Sequence, residues 1–149
     1  MISYFQTQRM ALQAGVPVEI IEKDYLVELL LFYLSQDEYL RETVIFRGGT
    51  ALKKMYFPDY RFSEDLDFLV NNDADLIRIE QGVNNVLIQI SSGYPFQLTL
   101  EPGVKKDRFQ SYVLYDIITD IKTCKKLKLD IVKDSVIPGS QIRQILFSY

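Results

Sequence analysis

Asp65 and Asp67 flank a single leucine at the head of an apolar run, Leu66 to Val70. Side chains alternate across a strand, so residues two apart share a face, with Cα atoms roughly 6.5–7 Å apart. Two carboxylates aimed at one region repel each other unless a cation lies between them. Magnesium or manganese would suit such a pair. Magnesium prefers hard oxygen ligands at roughly 2.0–2.1 Å and commonly combines one or two carboxylates with substrate phosphates. Taken alone, an Asp-x-Asp tripeptide reads first as two solvated acids on a strand edge, since such tripeptides are common. The neighbouring residues shift the balance.

Gly48-Gly49-Thr50 lies between a strand-like run, Thr43 to Phe46, and a short helix-like stretch, Ala51 to Tyr56. Glycine allows backbone N–H groups to converge on an anion with no Cβ in the way. A helix start adds free N–H groups and partial positive charge. Thr50 is placed to act as N-cap, and Lys54, one turn later, would carry an ammonium toward a phosphate. The spacing matches neither G-x-x-x-x-G-K-[ST] nor G-x-G-x-x-G, so this is neither a Walker loop nor a dinucleotide fingerprint.

A phosphate cradle beside a metal pair fits phosphoryl or nucleotidyl transfer, where two metals about 3.5–4 Å apart clamp the attacking and leaving oxygens. That chemistry calls for a third carboxylate, which could also act as general base. Asp130 is the first candidate, set between core-facing Leu129 and Ile131 in a strand-like run. Asp116 and Asp120 are its rivals.

Composition narrows the alternatives. The chain has 149 residues, 48% of them apolar, with 10 Tyr and 9 Phe, enough for the core of one domain spanning 1–149. The absence of histidine removes Ser-His-Asp and Cys-His catalysis and His-ligated zinc. One cysteine, Cys124, excludes an internal disulfide and points to a reducing compartment. A net charge of −3 argues against nucleic-acid binding by bulk charge. The basic groups Lys105, Lys106, Arg108 and Lys122, Lys125, Lys126, Lys128 read as solvated faces. The amino-terminal residues show no signal-peptide pattern, and the longest apolar stretch, Leu26 to Leu34, is about half a membrane span and contains Glu28. A cytoplasmic protein without membrane attachment is expected.

Several elements must position these residues. Residues 3–14 read as a helix stopped by Gly15. Val18, Ile21, Tyr25, Leu29 and Phe32 recur at helical spacing and predict a helix over 17–35, entered through Pro17. Within it Glu22-Lys23-Asp24 reads as a solvated face. Phe57 to Glu64 is a loop, 75–91 a helix, and Phe96–Leu100, Phe109–Ile117 and Leu127–Val132 are strands. Pro138-Gly139 turns the chain, and the apolar end, 145–149, suits a strand whose domain continues. The pattern gives an α/β or α+β domain with a mixed sheet flanked by helices.

Together, Gly48-Gly49-Thr50, Lys54, Tyr56 and the run Arg61 to Phe68 resemble the signature of the nucleotidyltransferase AbiEii toxin family, within the DNA-polymerase-β-like nucleotidyltransferase superfamily. Glu22-Lys23-Asp24-Tyr25 resembles the charged element on that family's first long helix, and Leu127 to Val132 its later acid-bearing strand. The likeness covers roughly residues 18–70 and the later strand. It implies a magnesium-dependent enzyme moving a nucleotide from an NTP to an acceptor, which can be tRNA or protein, as the toxin of a toxin–antitoxin pair with a cognate antitoxin. It further implies Asp65, Asp67 and Asp130 as metal ligands, with Gly48, Gly49, Thr50 and Ser63 holding phosphate and Lys54 near the triphosphate. Members of the family continue into a helical half with a further Lys, Arg and Asp motif. This chain is therefore expected to be an amino-terminal portion, and a nucleotide- or partner-binding module without turnover is the alternative.

Overall fold

Local signals at the chain start are realised directly. Ser3 Oγ accepts the N–H of Gln6 while Gln6 Oε1 accepts the N–H of Ser3, closing a capping box on helix α1 (Tyr4–Ala14). Gly15 ends it in the left-handed region, at φ 68°. The computed structural model describes residues 1–149 except Ser63, Cys124, Val136, Ile137, Pro138, Ser140, Gln141 and Leu146. The expected turn at Pro138 therefore lies outside the described residues.

Helix α2 (Val18–Leu34) follows, with Pro17 at its N-cap. It is apolar around most of its circumference, and such a helix is stable only when enclosed. Leu26 and Val27 are fully buried, and Leu30, Leu31 and Leu34 nearly so. Asp37 then accepts the N–H of Leu40 and starts a short helix, α3 (Glu38–Thr43), which apolar periodicity does not reveal.

Strand β1 (Ile45–Arg47) leads without a loop into helix α4 (Gly48–Met55). This helix starts three residues earlier than the expected Ala51, with Arg47 rather than Thr50 at the N-cap. Strand β2 (Asp65–Asn71) and helix α5 (Leu76–Gly93) come next, the latter opened by Asp75 accepting the N–H groups of Ile77 and Arg78. Strands β3 (Thr99–Leu100), β4 (Arg108–Leu114) and β5 (Lys126–Asp134) complete the order. β3 is shorter than the expected 96–100, although Phe96 and Leu98 still enter the core. Ile145 and Phe147–Tyr149 form no strand, contrary to expectation.

The strands form one mixed sheet in the order β1-β2-β5-β4-β3. β2 runs parallel to β5, and the other neighbours are antiparallel. Alternation along β2, β5 and β4 sends Leu66, Phe68, Val70, Leu127, Leu129, Ile131, Phe109 and Val113 into a core shared with α2 and α5. Burying each such side chain stabilises the fold by about 1.5–3 kcal/mol. Leu129→Ala, emptying a site between the acids' strand and the helices, would cost about 2–5 kcal/mol. The fold is α+β with a mixed sheet. Among the described residues, no helix is long and apolar enough to cross a membrane.

Candidate active site

Register gathers the polar residues on the sheet's other face. Arg47 lies opposite Asp67, Asp67 opposite Asp130, and Asp130 opposite Gln110, so one transverse row crosses four strands. One pleat away, Asp65 lies opposite Lys128 and Lys128 opposite Tyr112. The parallel pairing of β2 with β5 thus sets Asp130 directly beside Asp67. Neighbouring strands are separated by about 4.8 Å. The rivals are elsewhere: Asp116 and Asp120 are exposed on the segment between β4 and β5, and Asp116 pairs with Lys125.

The acids feel one another. The Asp67 carboxyl is raised above its ordinary value, first by burial and then by the like charges of Asp65 and Asp130, while Arg47 and Lys128 pull it back. Asp130 Oδ2 accepts from the Arg108 guanidinium at 3.1 Å. Its Oδ1 is buried with no hydrogen-bond partner, as is Arg108 Nε. A buried carboxylate oxygen left unpaired is costly, so this one is a ready acceptor for a cation or a proton. Among the described residues, no three acidic side chains form a ready ion cage. The donor set still suits a hard divalent cation: carboxylate oxygens from Asp65, Asp67 and Asp130, with mutual repulsion that such an ion would relieve.

Helix α4 presses its start against these acids. Gly48 has φ +83°, and a Cβ placed on it would meet Asp67 Oδ2 at 2.9 Å. Glycine takes that backbone without strain and leaves the Asp67 carboxylate where it is. Two turns of the same helix are tied down elsewhere. Thr50 is buried, and its Oγ1 donates to the carbonyl of Asp65 at 2.5 Å. The threonine hydroxyl therefore locks the helix to the head of β2 instead of capping it.

Lys54 also departs from expectation. Its ammonium is buried, 2.8 Å from Asp24 Oδ2 and 2.7 Å from Glu28 Oε1. Helical spacing from Thr50 alone carries no information about the acids of α2 packed across from it. The Ser148 N–H and the Tyr149 hydroxyl donate to the same two carboxylates. Burial, followed by the nearby Asp24 charge, holds the Tyr149 hydroxyl protonated well above the usual phenol range.

The solvated reading of Glu22-Lys23-Asp24 is likewise corrected, since Glu22 and Asp24 are buried. So is part of the basic-cluster reading. Lys105 and Lys106 are exposed, but the Lys125 side chain is only 8% exposed in its ion pair with Glu22, and Arg108 holds Asp130. Arg47 and Arg108 are site residues that sequence reasoning passes over, because only register brings them to the acids. Ser63 lies outside the described residues. A groove of about 1220 Å³ borders the helix start, lined in part by Phe46, Arg47, Gly48, Gly49, Tyr56 and Arg61.

Both the sequence and the fold resemble known proteins. A family model described as nucleotidyl transferase AbiEii toxin, type IV TA system, matches residues 29–147. The fold is similar to that of MenT4, a nucleotidyltransferase toxin from Mycobacterium tuberculosis H37Rv, with a TM-score of 0.69 and 19% sequence identity. That match covers 99% of this chain and 49% of MenT4, so the chain spans about half the length of this structural relative. No curated protein matches by sequence.

Proposed function

Because the chain belongs to the nucleotidyl transferase AbiEii toxin family, we propose that it transfers a nucleotide from an NTP to an acceptor hydroxyl, an RNA end such as that of tRNA being the first acceptor to try. The observation that carries this reading is the seating of the Gly48 turn against Asp67, beside Asp130 on the parallel neighbour strand.

In the proposed reaction the acceptor oxygen attacks the α-phosphorus, the bond to the β,γ-phosphate pair breaks, and pyrophosphate leaves. Backbone N–H groups at the start of α4, at Gly48 and Gly49, hold the phosphates, as a helix start favours anions. Asp130 takes the acceptor proton at its unpartnered Oδ1. Arg47 and Lys128, whose charges reach Asp67, offset negative charge on the face. Asp65, Asp67 and Asp130 would hold magnesium or manganese, which when bound supplies electrostatic stabilisation of the phosphoryl oxygens. The groove beside Tyr56 and Arg61 offers apolar and cationic surface for a base.

Parallel incubations with α- and γ-labelled NTP, Mg²⁺ and RNA test this. Label should pass to the acceptor from the α position only. Asp65→Asn and Asp67→Asn should each lower transfer about a hundredfold or more, as expected on losing a charged group at the reacting centre. Transfer from the γ position would replace the reading with phosphoryl transfer, and unchanged transfer in the Asp65→Asn/Asp67→Asn double variant would sink both. A second reading of the same carboxylate face and groove is a nucleotide-binding module without turnover. Calorimetric NTP binding with no labelled product would select it. The type IV TA description of the family supports a toxic role countered by a cognate antitoxin, checked by growth of cells expressing the chain with and without its neighbouring gene.

A further inference from the structure

Three consecutive residues of α2 reach three different parts of the molecule. Successive helical side chains project about 100° apart, so neighbours in sequence can face separate elements when the helix is enclosed. Glu22, fully buried, accepts the N–H groups of Ile117 at 3.1 Å and Ile118 at 2.8 Å through Oε1, and the same oxygen meets Lys125 Nζ at 3.0 Å. Lys125 also donates to the Ile118 carbonyl at 2.7 Å and immediately precedes β5, the strand of Asp130. Lys23 Nζ lies 3.0 Å from Glu64 Oε2, on the residue before Asp65. Asp24, together with Glu28, holds Lys54 of α4, the helix that begins at Gly48.

All three segments that build the carboxylate face are therefore tied to one turn of a helix that supplies no residue to that face. We infer that Glu22-Lys23-Asp24 is a positioning clamp. It sets the Gly48 turn, the Asp65/Asp67 strand and the Asp130 strand relative to one another. The three residues act through their partners rather than on substrate. Buried ion pairs seldom stabilise a fold more than apolar packing would, but their hydrogen bonds are directional. Glu22 makes the point, because its Oε2 is buried without a partner, a cost that an apolar side chain would avoid.

Hydrogen exchange on the whole chain, read peptide by peptide, tests the clamp without reference to activity. Glu22→Gln should speed exchange at Ile117, Ile118 and the head of β5, Lys23→Gln at Glu64 to Asp67, and Asp24→Asn along α4. Each local rise should be about tenfold or more while α5 changes little, the pattern of local rather than global opening. A uniform rise across the sheet, or none at the named segment, overturns the proposal. Should the two buried-acid variants fail to fold by circular dichroism, Lys23→Gln decides the matter alone, since its partner Glu64 is exposed. A second measurement rests on the nucleotidyl-transfer reading: Asp24→Asn should raise KM for NTP, whereas Glu22→Gln should lower kcat. A wild-type chain with no transfer activity would defeat that reading and leave the exchange pattern to judge the clamp.

Discussion

Gly48 and Asp67 occupy one space between them: a single added carbon on the glycine would lie 2.9 Å from the aspartate Oδ2. A side chain at position 48 would push the Asp67 carboxylate aside, in addition to the strain of a positive φ. Gly15 offers a control, because it too has positive φ but has open space around its missing Cβ. Gly15→Ala should cost about 1–2 kcal/mol, the strain of the left-handed region alone. Gly48→Ala should cost more in urea denaturation and should also suppress nucleotide transfer, which Gly15→Ala leaves intact. Equal costs at the two positions would show that the close approach to Asp67 does not matter.

The raised Asp67 carboxyl has a consequence for stability against pH. In the fold it keeps its proton to higher pH than in the unfolded chain, whose ordinary value is 3.8. The folded state is therefore favoured below that value, and the advantage is lost as pH rises through the folded value. Above it, the ionised Asp67 faces Asp65 and Asp130. Asp67→Asn should thus melt at higher temperature than wild type at neutral pH, with the gap closing on acidification below the ordinary aspartate value. Thermal melts across that range decide the sign, and a variant less stable at neutral pH would contradict it.

Lys54 balances two buried acids. Lys54→Met leaves Asp24 and Glu28 without their ammonium and should destabilise the chain by about 3–5 kcal/mol, the usual cost of breaking a buried pair from one side. Replacing all three by apolar residues of similar size should recover most of that loss in the same denaturation experiment. Failure to recover would mean that the site depends on the lysine for more than charge balance.

Arg108 and a bound cation would compete for Asp130. The Arg108 side chain is 39% exposed, so the pair is worth about 1 kcal/mol at most. Arg108→Gln should accordingly tighten Mn²⁺ binding by up to about fivefold, measured by calorimetry or electron paramagnetic resonance without any substrate. Weaker binding would show that Arg108 orders Asp130 for the ion instead.

What was legible in the sequence divides by range. Helices α1, α2 and α5 announce themselves through nearby residues: Ser3 with Gln6, Gly15, Asp75, and apolar positions at helical spacing. The shared face of Asp65 and Asp67 follows from strand alternation, and Asp130 from the apolar residues on either side of it. Its place beside Asp67 does not, because parallel register is fixed by packing between distant segments. α3 escapes notice because six residues carry too little periodicity. Charge pattern alone makes Glu22-Lys23-Asp24 look solvated and Lys54 look free. The contrary signal lies in α2 itself, whose apolar residues surround its axis, so charges in its middle must find partners inside the fold.

The parallel pairing of β2 with β5 also governs when the site comes into being. About sixty residues separate the two strands, and the chain must close that loop before Asp67 and Asp130 meet. Contacts of such long sequence separation form late compared with helices such as α1 and α2. Pulse-labelled exchange during refolding should therefore protect helical amides first, and those of β2 and β5 afterwards and together. On a ribosome, the same order means that a nascent polypeptide lacking β5 has no assembled row of acids. The row exists only once β5 has emerged and paired with β2.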